Sequence, residues 1–159
     1  MIQVSNNKNS SIIHAFYDLD VAPPTFDIIH FLLMAEVQRV KYNCLSIHVI
    51  IVPGNNYGFR EGDSLDLDQQ RWRVHNILIG CCQLVESIQG FTFCLDRDEA
   101  NFYFKKANSK IFPTEYKVDK PIARYLFGPI KELLAEGYTW PSLTAPNFAK
   151  IYVKHLLKS

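Results

Sequence analysis

Apolar positions follow two alternating patterns along the chain. Continuous apolar runs, rich in β-branched and aromatic residues, occupy residues 12–17, 45–52 and 91–95. Short runs of this composition are typical of buried strands. Between and after them, apolar residues recur at spacings of three and four, which is the period of a helix with one apolar face. The pattern therefore predicts strands separated by helices.

The helical pattern occurs in five segments. These are residues 25–41, 69–87, 96–106, 121–136 and 146–158. The segment after residue 95 also has a start signal, because Asp96 and Glu99 have the spacing of a capping box. Gln89 and Gly90 follow the second helix and are expected to end it.

The order of these elements is β-α-β-α-β-α followed by two helices. Strand–helix alternation is typical of parallel strands joined by right-handed crossovers. The run at 45–52 is almost continuously apolar, which indicates a strand covered on both faces. We therefore predict a single α/β domain over residues 1–159, with a three-layer, Rossmann-like fold, a parallel sheet and additional C-terminal helices.

Charge and composition exclude several classes of protein. Seventeen Lys and Arg residues against sixteen Asp and Glu give a net charge of +1, with no basic strip, so we expect no nucleic-acid binding. A hydrophobic fraction of 48% argues against disorder. No apolar run reaches the roughly 20 residues needed to cross a bilayer. Residues 1–10 also lack a signal-peptide pattern, so we expect a cytoplasmic chain without a membrane span.

The cysteines suggest a reducing compartment. There are four, Cys44, Cys81, Cys82 and Cys94, and their spacing fits neither a disulfide framework nor a zinc site. We expect reduced, buried thiols and no metal. The dinucleotide-binding and P-loop fingerprints are absent as well, so no cofactor is expected.

Polar side chains follow the first two predicted strands, where ligands of parallel sheets bind. Two carboxylates, two amides and an arginine lie in these loops, and two more arginines lie near the start of the next helix, where backbone N–H groups favour anions. The predicted ligand-binding residues are Asp18, Asp20, Asn55, Asn56, Arg60, Arg71 and Arg73.

Several of these residues have a simpler structural interpretation. Asp18 and Asp20 could form a general base or a metal-binding pair, or they could belong to a strand-end turn. Trp72 could stack on a ligand ring, although packing against the sheet edge is the simpler expectation. His14 and His48 lie in apolar strands and are expected to be hydrogen-bonded core residues. No nucleophile elbow is present, and no catalytic residue is identified.

Four segments resemble a known family. They are residues 16–27 (FYDLDVAPPTFD), 48–54 (HVIIVPG), 58–60 (GFR) and 71–78 (RWRVHNIL). Together they resemble the amino-terminal half of bacterial glycosyltransferase-like proteins of the two-domain GT-B kind, over residues 14–100. The resemblance implies a Rossmann-like domain that takes the sugar acceptor, while a second domain holds the nucleotide-sugar. This chain ends at Ser159, so the resemblance implies that the donor-binding half is missing.

The first functional hypothesis is therefore an acceptor-side domain of a glycosyltransferase in polysaccharide or glycoconjugate synthesis. Its ligand would be a sugar acceptor or a nucleotide-sugar. One alternative is a non-catalytic α/β module that binds a protein partner. Another is a small enzyme that acts on a phosphorylated metabolite.

Overall fold

Four parallel strands form a sheet at the centre of the computed structural model, which describes residues 11–107, 110–122, 128–139 and 141–157. The strands are β1 (Ile12–Asp18), β2 (Ser46–Val52), β3 (Ile88–Phe93) and β4 (Ile111–Phe112), in the order β3-β2-β1-β4. All three strand pairs are parallel. The predicted α/β, Rossmann-like fold with a parallel sheet is confirmed.

Helices connect and cover the strands. They are α1 (Asp27–Lys41), α2 (Leu67–Arg73), a π-helical segment (Val74–Leu78), α3 (Ile79–Cys82), α4 (Arg97–Lys106), α5 (Gly128–Ala135) and α6 (Asn147–Leu156). The α2 helix, the π-helical segment and α3 follow one another without a break. Within the described ranges, none of these helices has the length and apolar character needed to cross a membrane.

Both faces of the sheet are buried. Ile13 and Tyr17 of β1 belong to the core cluster that contains α1 and the π-helical segment. Phe16 of β1 and Ile50 of β2 point to the opposite face, where they form a second cluster with Ala100 of α4. Alternate residues of one strand thus enter different cores, as the period of two in a strand requires.

The second helix and the third strand differ from the prediction. The helix ends at Cys82 instead of residue 87, and β3 begins at Ile88 instead of residue 91. Gly90 does not end a helix but pairs with His48 across β2 and β3. A Cβ at Gly90 would lie 3.1 Å from His48 Nδ1, so glycine makes room for the histidine ring.

The remaining boundaries are closer to expectation. The last helix is α6, and Lys158 of the predicted range lies outside the described residues. In the predicted helix 121–136, residues 121–122 are not helical, residues 123–127 lie outside the described part, and α5 begins at Gly128. The two-residue strand β4 was not predicted. All four cysteines are buried and free, as expected.

Candidate ligand-binding site

A cavity of about 220 Å³ opens at the carboxyl ends of β1, β2 and β3. Ile51, Phe93 and Cys94 come from the strand ends and form part of its lining. Leu19 follows β1, and the rest of the lining comes from the loop that follows β2 and from the helix that follows this loop. The sheet topology dictates this position, because parallel strands bring their carboxyl ends to one edge.

The loop after β2 folds into a small hairpin. Backbone hydrogen bonds join Gly54 N to Gly58 O at 2.9 Å and Asn56 N to Phe59 O at 3.0 Å. Tyr57 lies between these bonds with a positive φ of 51°, which is uncommon for a bulky residue, and it is 79% exposed. Backbone strain of this kind is often found where a side chain is presented to a ligand.

Gly54 allows the hairpin to pack closely on its neighbours. A Cβ at this position would lie 2.4 Å from Phe59 O and 2.8 Å from Leu19 O. Both atoms belong to the backbone, so no side-chain movement could relieve the clash. The hairpin can therefore reach the end of β1 only because residue 54 is glycine.

Asp20 fixes the hairpin to the loop after β1. Its Oδ1 accepts a hydrogen bond from Asn55 N at 2.8 Å, and its Oδ2 accepts one from Asn55 Nδ2 at 2.9 Å. Both carboxylate oxygens are thus engaged by a single asparagine. This arrangement explains Asp20 and Asn55 as residues that shape the edge of the cavity.

Asp18 is buried at the end of β1, with 2% exposure, and its carboxylate accepts four hydrogen bonds. Arg97 Nη1 and Nη2 donate at 3.1 and 3.0 Å, Tyr116 OH at 2.7 Å and Asp20 N at 3.0 Å. The Arg97 guanidinium also donates to the carbonyls of Pro53 and Val118. This network ties the end of β1 to the chain that follows β2 and β4.

The charges in this network reinforce one another. Burial lowers the pKa of Arg97, but the hydrogen bond and the negative charge of Asp18 outweigh this effect and raise the pKa overall. Burial raises the pKa of Tyr116, and the charge of Asp18 raises it further, so the phenol stays protonated and can donate. The Asp18 carboxylate therefore has a structural role, in an ion pair with Arg97 whose carboxylate side is buried.

The helical wall of the cavity begins with a capping box. Asp66 Oδ1 accepts from Gln69 N at 2.8 Å, and Gln69 Oε1 accepts from Asp66 N at 3.3 Å. Its N-cap residue, Asp66, lies three residues before the predicted helix start at Gln69, and the box was not predicted. From here the helix runs into the π-helical segment, a feature often found at functional sites.

Three residues of this helical stretch face the cavity: Arg71, Val74 and His75. The exposed Arg71 guanidinium has an ion pair with Asp68, with 3.4 Å between Nη1 and Oδ1, and such exposed pairs hold weakly. The His75 ring lies 6.2 Å from the Phe93 ring, centroid to centroid. The cavity thus combines an aromatic lining with a cation and an imidazole.

The cysteine in the cavity is unsuited to nucleophilic chemistry. Burial raises the pKa of Cys94 to about 12, and the charges of Glu99, Asp96 and Asp18 contribute to this shift. The thiol is therefore protonated at neutral pH, whereas a cysteine nucleophile reacts as the thiolate. Among the described residues, no group of three metal-ligating side chains is found.

The seven predicted ligand-binding residues have different places in the structure. Asp18, Asp20 and Asn55 are joined by the hydrogen bonds given above, and Arg71 lines the cavity.

The other three are placed differently. Asn56 contributes its backbone N–H and carbonyl to the hydrogen bonds of the hairpin. Arg60 forms an ion pair with Asp63, with 3.4 Å between Nε and Oδ2. Arg73 lines a separate depression together with Trp72. The expectation that Trp72 packs on the sheet edge was wrong, because this residue is 60% exposed.

Sequence reasoning gave no role to Tyr57, His75 or Tyr116. His75 follows Arg71 by four residues, a spacing that places both on one helix face and could have indicated it. Tyr57 lies in a loop whose hairpin was not predicted. Tyr116 follows a two-residue strand that has no detectable pattern, so its contact with Asp18 could be found only in the structure.

A second cavity, of about 260 Å³, lies at the opposite edge of the sheet. Its principal charged groups already satisfy one another: Arg39 Nε and Nη2 donate to Glu36 at 2.8 and 2.7 Å, and Ser87 Oγ donates to Glu36 Oε2. This edge carries the amino ends of the strands, where ligands of such folds do not usually bind. The cavity at the carboxyl edge is therefore the better candidate.

Comparison with known proteins identified no relative: no family model, no curated protein and no solved structure matches this chain.

Proposed function

We propose that this chain binds a saccharide in the cavity at the carboxyl edge, as the acceptor-side domain of a glycosyltransferase. The observation that carries the proposal is the composition of this cavity. Tyr57 is exposed at its rim, and its wall combines the side chains of Arg71 and His75 with aromatic and aliphatic side chains. The sequence resemblance to GT-B glycosyltransferase-like proteins points to the same class of ligand.

The chemistry of the cavity suits a sugar ring. The apolar face of a sugar can pack on an aromatic side chain, while hydroxyl groups need donors and acceptors around the ring edge. Tyr57 supplies the aromatic surface and the phenol, and Arg71 supplies a fork of donors for a hydroxyl pair, a carboxylate or a phosphate. Pockets for drug-sized ligands measure about 300–1,000 Å³. The cavity, at about 220 Å³, is smaller than this range and suits a single sugar ring.

Ligand-observed NMR with the full chain tests the proposal. The probes are neutral monosaccharides, uronic acids, sugar phosphates, nucleotide-sugars and inorganic phosphate. We expect binding of at least one saccharide and loss of this binding in Tyr57→Ala. For an anionic sugar, Arg71→Ala should weaken binding about tenfold or more, because a charge-assisted hydrogen bond contributes roughly 1.5–3 kcal/mol.

Arg60→Ala is the matched control. It removes a guanidinium from the same part of the chain, but Arg60 pairs with Asp63 and is not part of the cavity lining. Sugar binding should therefore be unchanged. Binding that survives both Tyr57→Ala and Arg71→Ala, or no saccharide binding at all, would contradict the proposal. Binding of inorganic phosphate as tight as that of any sugar phosphate would favour an enzyme of phosphorylated metabolites.

One observation favours a second candidate, a module that binds a protein partner. No residue of α6 is buried, and large apolar side chains along this helix are more than half exposed. They include Phe148, Ile151, Tyr152 and Leu156. Contiguous exposed apolar surface of this kind is typical of interaction sites. A pull-down with the full chain that is lost in Ile151→Asp would support this candidate.

A further inference from the structure

A separate depression, of about 400 Å³, lies along α2. Trp72 is 60% exposed there, and it shares the depression with Leu65, Asp68, Gln69 and Arg73. An indole is the largest apolar side chain, and leaving most of it in water gives the folded chain little hydrophobic stabilisation. Its exposure therefore requires an explanation other than core packing.

The backbone around Trp72 is held firmly. The Asp66–Gln69 capping box fixes the first turn of α2, and the buried Gln70 donates from Nε2 to Leu65 O at 2.8 Å. Asn76 Nδ2 donates to Trp72 O at 2.7 Å at the junction with the π-helical segment. An exposed aromatic on a rigid support loses little conformational entropy when a ligand covers it.

The groups around the indole suit a second sugar. Asp68 offers carboxylate acceptors, Arg73 offers guanidinium donors, and the Gln69 amide nitrogen has no hydrogen-bond partner within the described ranges. Donors and acceptors around one aromatic face match the hydroxyl groups around a sugar ring.

Lining residues of the two depressions are in contact. Asp68 lines the one that contains Trp72, Arg71 lines the cavity that contains Tyr57, and the Asp68–Arg71 ion pair of 3.4 Å lies between them. A chain of linked sugars could therefore cross this pair and occupy both places. We propose that Trp72 and Arg73 form a second saccharide subsite, so that the acceptor is an oligosaccharide of at least two units. This inference rests on the proposed function.

Calorimetry with saccharides of increasing length tests the inference on the full chain. The probes are malto-, chito- and galacturono-oligosaccharides of one to six units. For the series that binds, we expect affinity to rise at least tenfold between one and four units. Trp72→Ala should remove this rise and leave the monosaccharide affinity unchanged, and Trp72→Phe should restore part of it. Tyr57→Ala should weaken binding at every length.

Tryptophan fluorescence supplies a second readout. The sequence contains two tryptophans, so in a Trp140→Phe background the emission comes from Trp72. Its emission should shift with oligosaccharides and not with the monosaccharide.

Each contrary outcome overturns a different statement. If a saccharide binds with the same length dependence in Trp72→Ala, the second subsite is refuted and the proposed function stands. If no saccharide binds, the proposed function fails and the subsite fails with it. If Trp72 emission changes with protein concentration and not with sugar, Trp72 belongs to a self-association surface and the subsite is refuted.

Discussion

Asp18 shows what a charged side chain requires at the buried end of a strand. Its carboxylate is almost completely withdrawn from water, and four donors replace the water that it loses. A buried charge costs several kcal/mol unless such partners are present. Arg97 is therefore as necessary to this strand end as Asp18 itself.

Replacing Arg97 by methionine should destabilise the fold strongly. The variant keeps a long apolar side chain and leaves the Asp18 charge unpaired, which typically costs about 3–5 kcal/mol. Tyr116→Phe removes one donor and should cost roughly 1–3 kcal/mol. Urea unfolding measures both changes. Arg60→Met breaks the partly buried pair with Asp63, whose arginine reaches water, and should destabilise the fold less than Arg97→Met does. An equal loss in the two arginine variants would refute the assignment.

A pair of histidines should make stability depend on pH. His14 and His48 are paired neighbours on β1 and β2, with ring centroids 6.0 Å apart. Burial lowers the pKa of His14 below the ordinary value of 6.5, and the charges of His48 and Lys106 lower it further. Burial also lowers the pKa of His48. Below about pH 6.5 the unfolded chain therefore binds more protons than the folded chain. The free energy of unfolding consequently decreases as the pH is lowered.

Urea unfolding between pH 7.5 and pH 5 measures this effect. We expect the free energy of unfolding to fall as the pH drops below about 6.5, and the fall to be smaller in His14→Gln. His155→Gln changes an exposed histidine of α6 and should keep the wild-type profile. An identical profile in His14→Gln and in the wild type would exclude His14 as a source of the pH dependence.

The expectation that His14 is a fully hydrogen-bonded core residue was wrong, since its Nδ1 is buried without a partner among the described residues.

The hairpin of residues 54–59 depends on one glycine. Gly54→Ala would place a methyl group 2.4 Å from a backbone carbonyl oxygen, so the hairpin must move. Overpacking of this kind costs typically about 1–3 kcal/mol, and Tyr57 would be displaced from the rim of the cavity. Gly80→Ala in α3 is the control: no atom lies near the added Cβ, and helix propensity should stabilise the fold by about 0.5–1 kcal/mol. Thermal unfolding distinguishes the two, and equal effects would contradict this account.

At the level of elements, the sequence indicated most strands and helices, and the errors have physical causes. Leu84 and Val85 continue the helical spacing of apolar residues, which favoured a helix through residue 87, but Val85 enters the core from beyond the helix end at Cys82. Gly90 was interpreted as a helix terminator because its role depends on His48 in another strand. The strand β4 has only two residues, too few for any periodicity.

At the level of the whole molecule, topology predicted the edge of the sheet on which the candidate site lies. Strand–helix alternation requires parallel strands, and parallel strands bring the loops after β1 and β2 together, as Asp20 and Asn55 show. Which side chains face the cavity could not be predicted. Asn55 is engaged by Asp20 and Arg60 by Asp63, and these partners are known only once the hairpin is folded.

Chemical-shift mapping with a bound saccharide tests the central claim most directly. Backbone amides of the full chain are followed by ¹H–¹⁵N NMR during titration with the sugar that binds most tightly in the ligand panel. The account predicts the largest shifts at Tyr57, Gly58, Arg71, His75 and Cys94, at the carboxyl edge of the sheet. Largest shifts at Glu36, Arg39 and Ser87, on the opposite edge, or along α6 would contradict it.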